Sequence, residues 1–204
     1  MANRRFWLLL LSMVATASTS AAVVQPSFGS EARCQVAEAA LQSISPPQQI
    51  SGTETVKFLD DDVGGFPPID LDDYDLSNKT SWKSGAAPSP ELVQSFVHQQ
   101  QIAALRTCAG LKEFAGSKGW TTRKTAKVEI GKTWESQRRG KNFGRKRGLV
   151  LVLLSPVLSD DGREALIEEE VVCGPLCGLG SIVYFKLDAD GHWTQAAIRE
   201  IWAS

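Results

Sequence analysis

Histidine is scarce in this chain of 204 residues, which holds two, His98 and His192, far apart in sequence. Neither stands at a spacing that would complete a metal site with the cysteines. Neither has a serine or cysteine beside it in a nucleophile motif, so hydrolase chemistry of that kind has no support. Long apolar runs are also missing. Nothing approaches the ~20 residues that span a bilayer, so no transmembrane anchor is expected. The net charge is −1, so no field of one sign points to a nucleic-acid partner, and none is expected. No cofactor and no metal are expected either.

What is present begins with Met-Ala-Asn-Arg-Arg, an apolar run over residues 6–14 and small residues over 15–22. That order of charge, apolar core and small residues is a secretory signal peptide over residues 1–22, cut after Ala22 with Ser20 and Ala22 as the small residues. The pair Arg4-Arg5 invites a twin-arginine route, but Phe6-Trp7-Leu8-Leu9 follows, and an ordinary positive n-region fits better. No cysteine stands at the cleavage site, so lipidation there is not expected. Without the leader, 20 basic and 23 acidic residues remain, a net of about −3. Residues 23–204 have the length of one domain, ~50–250 residues. The expected location is periplasmic or secreted.

Residues 31–44 place Val36, Ala37, Ala40, Leu41 and Ile44 at helical spacing after Ser30 as N-cap, and Pro46-Pro47 stops the helix. Residues 53–59 alternate as a strand. Residues 60–90, rich in Asp, Gly, Pro and Ser, read as a long loop, a length that usually signals function or mobility. Ser89-Pro90-Glu91 opens a helix, and Leu92, Val93, Phe96, Val97, Ile102, Ala103 and Leu105 carry its face to Cys108. Residues 120–148 are strongly basic, with a strand over 125–130 and an exposed loop over 135–146.

The last third is the clearest. Apolar runs over 149–154, 163–172, 179–187 and 192–202 are separated by Asp160-Asp161-Gly162 and Asp188-Ala189-Asp190-Gly191, which is turn chemistry. The fold class is therefore α+β: a four-stranded antiparallel C-terminal meander, with Ala165, Ile167, Val171, Leu179, Val183 and Phe185 on the face that two N-terminal helices cover.

The most distinctive stretch is Cys173-Gly-Pro-Leu-Cys177. In an extended chain at ~3.3 Å per residue the two cysteines would lie ~13 Å apart, beyond the ~7 Å limit for a disulfide. Gly174-Pro175 favours a turn that closes the gap. The preferred pairing among the three that four cysteines allow is Cys173 with Cys177 as a staple at a hairpin tip, and Cys34 with Cys108 between the helices. A redox site would want two residues between the cysteines and a helix N-terminus at one of them, whereas strands flank this pair.

Charge is unevenly placed. Asp60, Asp61, Asp62, Asp70, Asp72, Asp73 and Asp75 gather in one loop, where Asp70, Asp72 and Asp75 offer oxygen ligands for calcium. The loop lacks the glycine and final glutamate of an EF-hand, and solvated acids are the plainer reading. Arg138, Arg139, Lys141, Arg145, Lys146 and Arg147 surround Asn142-Phe143-Gly144 as a candidate surface for phosphate, lipid headgroup or an acidic protein. Asn78-Lys79-Thr80 matches a glycosylation triplet. In Glu168-Glu169-Glu170, strand parity turns Glu169 toward the side of Ile167 and Val171, where a half-buried carboxyl has the raised pKa that acid-base work needs. A bulge that turns it to water is the alternative.

The runs Leu154-Ser-Pro-Val-Leu-Ser-Asp-Asp-Gly-Arg-Glu-Ala165, Cys173-Gly-Pro-Leu-Cys-Gly-Leu-Gly180 and Gly191-His-Trp193 together resemble a group of uncharacterised exported bacterial proteins. That group shares a C-G-x-L-C-G-x-G hairpin followed by G-x-W. The likeness is confined to the last quarter of the chain, with residues 89–99 similar to a weaker helical motif. It implies export from a bacterium, and it departs from the pattern at Glu169, where an apolar residue belongs.

The function expected is a non-catalytic periplasmic or secreted binding protein that acts on an envelope protein or an anionic surface through its long loops. The alternatives are an enzyme of unknown chemistry using Glu169, or a thiol redox protein using Cys173 and Cys177.

Overall fold

In a computed structural model of the chain, the described residues are 28–44, 55–60, 75–76, 78–122, 147–174 and 177–203. The leader, most of the Asp-rich loop and residues 123–146 lie outside them.

The fold is mixed α+β around one sheet. Its strands are β1 (Thr55–Asp60), β2 (Thr121–Thr122), β3 (Arg147–Leu153), β4 (Val157–Leu158), β5 (Glu164–Gly174), β6 (Cys177–Leu187) and β7 (Trp193–Ala203). They run in the order β2-β1-β3-β5-β6-β7, and β4 pairs with β5 off that path. β1 is parallel to both β2 and β3, while the pairs from β3 to β7 are antiparallel. The sheet therefore extends beyond a four-stranded meander. Long-range pairing recruits β1, whose own sequence says only that it is extended.

Alternation along the strands sorts side chains to two faces. Leu149, Leu151, Leu153, Ala165, Ile167, Val183 and Phe185 lie on one face; Leu166, Ile182, Tyr184 and Ala197 lie on the other. The first face is covered by α1 (Phe28–Ser43), α3 (Ala104–Thr107) and α4 (Leu111–Ser117), through Val36, Ala37, Ala40, Leu41, Ala104, Leu111 and Ala115. The second is covered by α2 (Pro90–Val97) and the segment around residues 76–87, through Leu92, Phe96, Leu76 and Trp82. Helices on one face only were expected; instead both faces are roofed.

One expected helix over 89–108 is two. α2 ends at Val97, His98 caps it, and a new turn starts at Ala104. The intervening His98-Gln99-Gln100-Gln101 is polar, and the chain uses it to pass from one face of the sheet to the other. Ala103 bridges to Leu154 and the Ser155 N–H donates to the Ile102 carbonyl at 2.7 Å during that crossing. The apolar residues on either side share a helical period, but they serve different cores.

Cys34 of α1 and Cys108, the C-cap of α3, form a disulfide with a Cα separation of 5.3 Å across 74 residues of chain. The segment before α2 is also ordered by side chains. The Asn78 carboxamide oxygen accepts from the Thr80 N–H at 3.1 Å and its hydroxyl at 2.8 Å, capping a 3-10 turn over Lys79–Ser81. Trp82 then buries its ring edge-on against Tyr184, centroids 6.3 Å apart, and donates its Nε1–H to the Leu76 carbonyl at 3.0 Å. Asp60 is buried at the end of β1 and Asp75 is exposed, whereas Asp61, Asp62, Asp70, Asp72 and Asp73 lie outside the described residues.

Candidate functional site

The start of α2 and the turn between β4 and β5 enclose a cleft of about 370 Å³. Ser89, Glu91, Leu92 and Ser95 form one wall; Ser159, Asp160, Asp161 and Glu164 form the other. The turn is shaped by its own side chains. Ser159 Oγ donates to Asp161 Oδ1 at 2.6 Å, the Arg163 N–H donates to the same oxygen at 3.0 Å, and Gly162 takes the left-handed conformation at φ +68°. The Ser159 hydrogen bond, then the Arg163 N–H, holds the Asp161 carboxyl below its usual pKa.

Glu164 is the most firmly held of the lining carboxylates. Tyr184 donates its phenol proton to Oε1 at 2.5 Å, the Ser89 N–H donates to Oε2 at 3.3 Å, and Lys186 Nζ stands 3.7 Å away. Lys186 also lies 5.4 Å from the Tyr184 ring centroid. Burial, then the hydrogen bond to Glu164, pushes the Tyr184 phenol well above its ordinary range. Among the described residues, the cleft therefore presents four acids and three hydroxyls, with two of the acids fixed in place before any ligand arrives.

A second concentration of acid lies deeper. Glu168, Glu169 and Glu170 of β5 are 3%, 7% and 6% exposed. The register of β5 against β6 is continuous from Glu164 to Val172, so no bulge turns Glu169 to water. Its carboxyl lies on the face roofed by α1, α3 and α4, as parity requires. Among the described residues, Glu169 Oε2 has no hydrogen-bond partner, and neither has Oγ of Ser181, the residue directly across the strand pair. Desolvation pushes the Glu169 pKa up to about 7.

Glu168 and Glu170 occupy the opposite face. Parity alone would hand them to solvent, but this face carries α2. Burial raises Glu168 to about 8, helped by the charge of Glu170, and burial raises Glu170 to about 7 against the hydrogen bond from Trp202. Gly178 and Gly180 make room for that indole. A Cβ on Gly180 would stand 2.0 Å from Trp202 Nε1, and one on Gly178 would stand 2.7 Å from the far edge of the ring. Asp60, Val152, Glu170, Gly180 and Trp202 thus form one row across five strands.

Of the other residues singled out in the sequence, the described ones are not among those that line the cleft. At the hairpin tip Gly174 pairs with Cys177, and the register shifts between Val172 and Gly174, so the backbone reverses there and is not extended; the side chains of Cys173 and Cys177 lie outside the described residues. Arg138, Arg139, Lys141, Arg145 and Lys146 lie outside them too. Arg147 opens β3 opposite Thr55, and its side chain is likewise undescribed. His98 and His192 are exposed on separate elements. Among the described residues no group of His, Cys, Asp and Glu is arranged to hold a metal ion, and no helix is long and apolar enough to cross a membrane. Glu169 does not line the cleft.

Sequence reading missed the cleft. Ser89-Pro90-Glu91 registers there as a helix start and Asp160-Asp161-Gly162 as a turn; their meeting is tertiary. No family model, no curated protein and no solved structure matches the chain.

Proposed function

We propose that this is an exported, non-catalytic binding protein of the bacterial envelope or its surroundings, and that its anionic cleft takes a basic side chain of a partner protein. The observation that carries this reading is the fixed carboxylate geometry of the cleft: Glu164 and Asp161 are held by Tyr184, Ser89, Ser159 and Arg163. Carboxylates held this way bind a guanidinium or ammonium without first losing rotamer freedom. The Cys34–Cys108 disulfide agrees with an oxidising compartment, and the leader-like residues 1–22 with export.

A staple between Cys173 and Cys177 belongs to the same reading, supported by the reversal of the backbone at the tip. An acid-base role for Glu169 has its raised pKa in its favour. Its burial on the face opposite the cleft separates it from the concave surface described.

Crosslinking and pull-down from the native envelope fraction tests the proposal with three forms of the protein. The wild type should capture a defined partner, and a Glu91→Gln, Asp160→Asn, Asp161→Asn variant should lose it with little change in thermal stability. Loss only on replacing Arg138, Arg139, Arg145 and Arg147 with Ser would move the contact surface to the basic run. Equal capture by all three forms would remove both surfaces.

A further inference from the structure

Three consecutive carboxyl groups in the middle of a central strand are costly to bury, and the described surroundings do little to offset the cost. On the face of Glu169, its row across the sheet holds Leu153, Ser181 and Glu200, and Glu200 is paired at the surface with Lys83 at 2.5 Å. The charged residues of the helical roof are Glu31, Arg33 and Glu38 of α1, Arg106 of α3, and Lys112 and Glu113 of α4 with its C-cap Lys118. All are exposed or half-buried, and none is bonded to Glu169.

On the other face, a charge on Glu170 disfavours ionisation of Glu168, and Asp60 shares the row of Glu170. Arg199 of β7 lies opposite Ile182 and donates to the Asp75 carbonyl; Glu91 of α2 and its C-cap His98 are exposed. Trp202 gives Glu170 one hydrogen bond. No basic side chain among the described residues forms an ion pair with any of the three glutamates. A carboxyl without a cation is accommodated in such a place by keeping its proton.

We propose that Glu168, Glu169 and Glu170 form a proton-held latch in the sheet: while the three carboxyls keep their protons both roofing layers close on β5, and their ionisation above neutral pH loosens both. An acid whose pKa is higher folded than unfolded binds its proton more tightly in the fold. The latch is therefore fully closed below the ordinary glutamate value of 4.5, and it is lost as pH rises through about 7 to 8. An exported protein meets the pH of its surroundings, so the latch would tighten the fold in acidic media and relax it in alkaline ones.

Two measurements test this. In carbon-13 NMR of the wild type, three glutamate carboxyls should titrate near pH 7 to 8; if every glutamate titrates near its ordinary value, the latch does not exist. Denaturant unfolding from pH 5.5 to 8.5 should show the unfolding constant rising by at least about 30-fold, the effect of a single carboxyl raised to about 7. The triple variant Glu168→Gln, Glu169→Gln, Glu170→Gln should lose most of that rise. If the triple variant does not fold, each single Gln variant should lose a share of it. Variants that keep the full wild-type slope would overturn the proposal.

Discussion

Replacing Gly180 with Ala tests the row that joins Trp202 to Glu170. The new methyl carbon would stand 2.0 Å from Trp202 Nε1 and 2.5 Å from Cδ1, against 3.4–4 Å for ordinary contact. The indole must retreat by roughly 1.5 Å, enough to break its hydrogen bond and forfeit much of its packing. The lost hydrogen bond to a buried carboxyl costs about 1–3 kcal/mol, and the displaced ring adds about 1 kcal/mol. Ala recovers about 0.5–1 kcal/mol by its lower conformational entropy in a strand. The net is a destabilisation of about 1–3.5 kcal/mol, or a fall in Tm of roughly 2–14 °C for a chain of this size. Thermal unfolding by circular dichroism measures it, with the near-ultraviolet signal reporting the moved indole. A double-mutant cycle isolates the contact: with Trp202→Ala in place, Gly180→Ala should be neutral or stabilising. Equal costs in both backgrounds, or a cost below about 0.5 kcal/mol in the wild type, would refute the packing argument.

Cys108→Ala opens a link across 74 residues; a loss of about 2–4 kcal/mol in urea unfolding is expected under non-reducing conditions, and none in excess reductant. Tyr184→Phe removes the 2.5 Å hydrogen bond to Glu164, which should cost about 1–2 kcal/mol and weaken partner capture through the freed carboxylate. The same variant should leave the alkaline slope of stability unchanged, since its phenol touches none of the three buried glutamates.

Much of this molecule is written in its local sequence. The turns at Asp160-Asp161-Gly162 and Asp188-Ala189-Asp190-Gly191, the strand alternation of the last third and the start of α2 at Ser89-Pro90-Glu91 all rest on short-range stereochemistry, and all lie where the residues place them. The inward side of Glu169 is also legible, because a strand with continuous register has a period of two. Parity says which residues share a face but not whether that face is covered. Only the packing on the second face, where Trp202 meets Glu170, decides that its acids, Glu168 and Glu170, are buried as well. The break at His98-Gln99-Gln100-Gln101 is equally non-local, since the apolar residues on its two sides keep helical spacing and differ only in which core receives them. The cleft, too, depends on bringing Ser89 beside Glu164, a contact that no local pattern specifies. Short-range rules determined the elements of this protein; which faces they cover, and so where its acids lie, was decided by the tertiary structure.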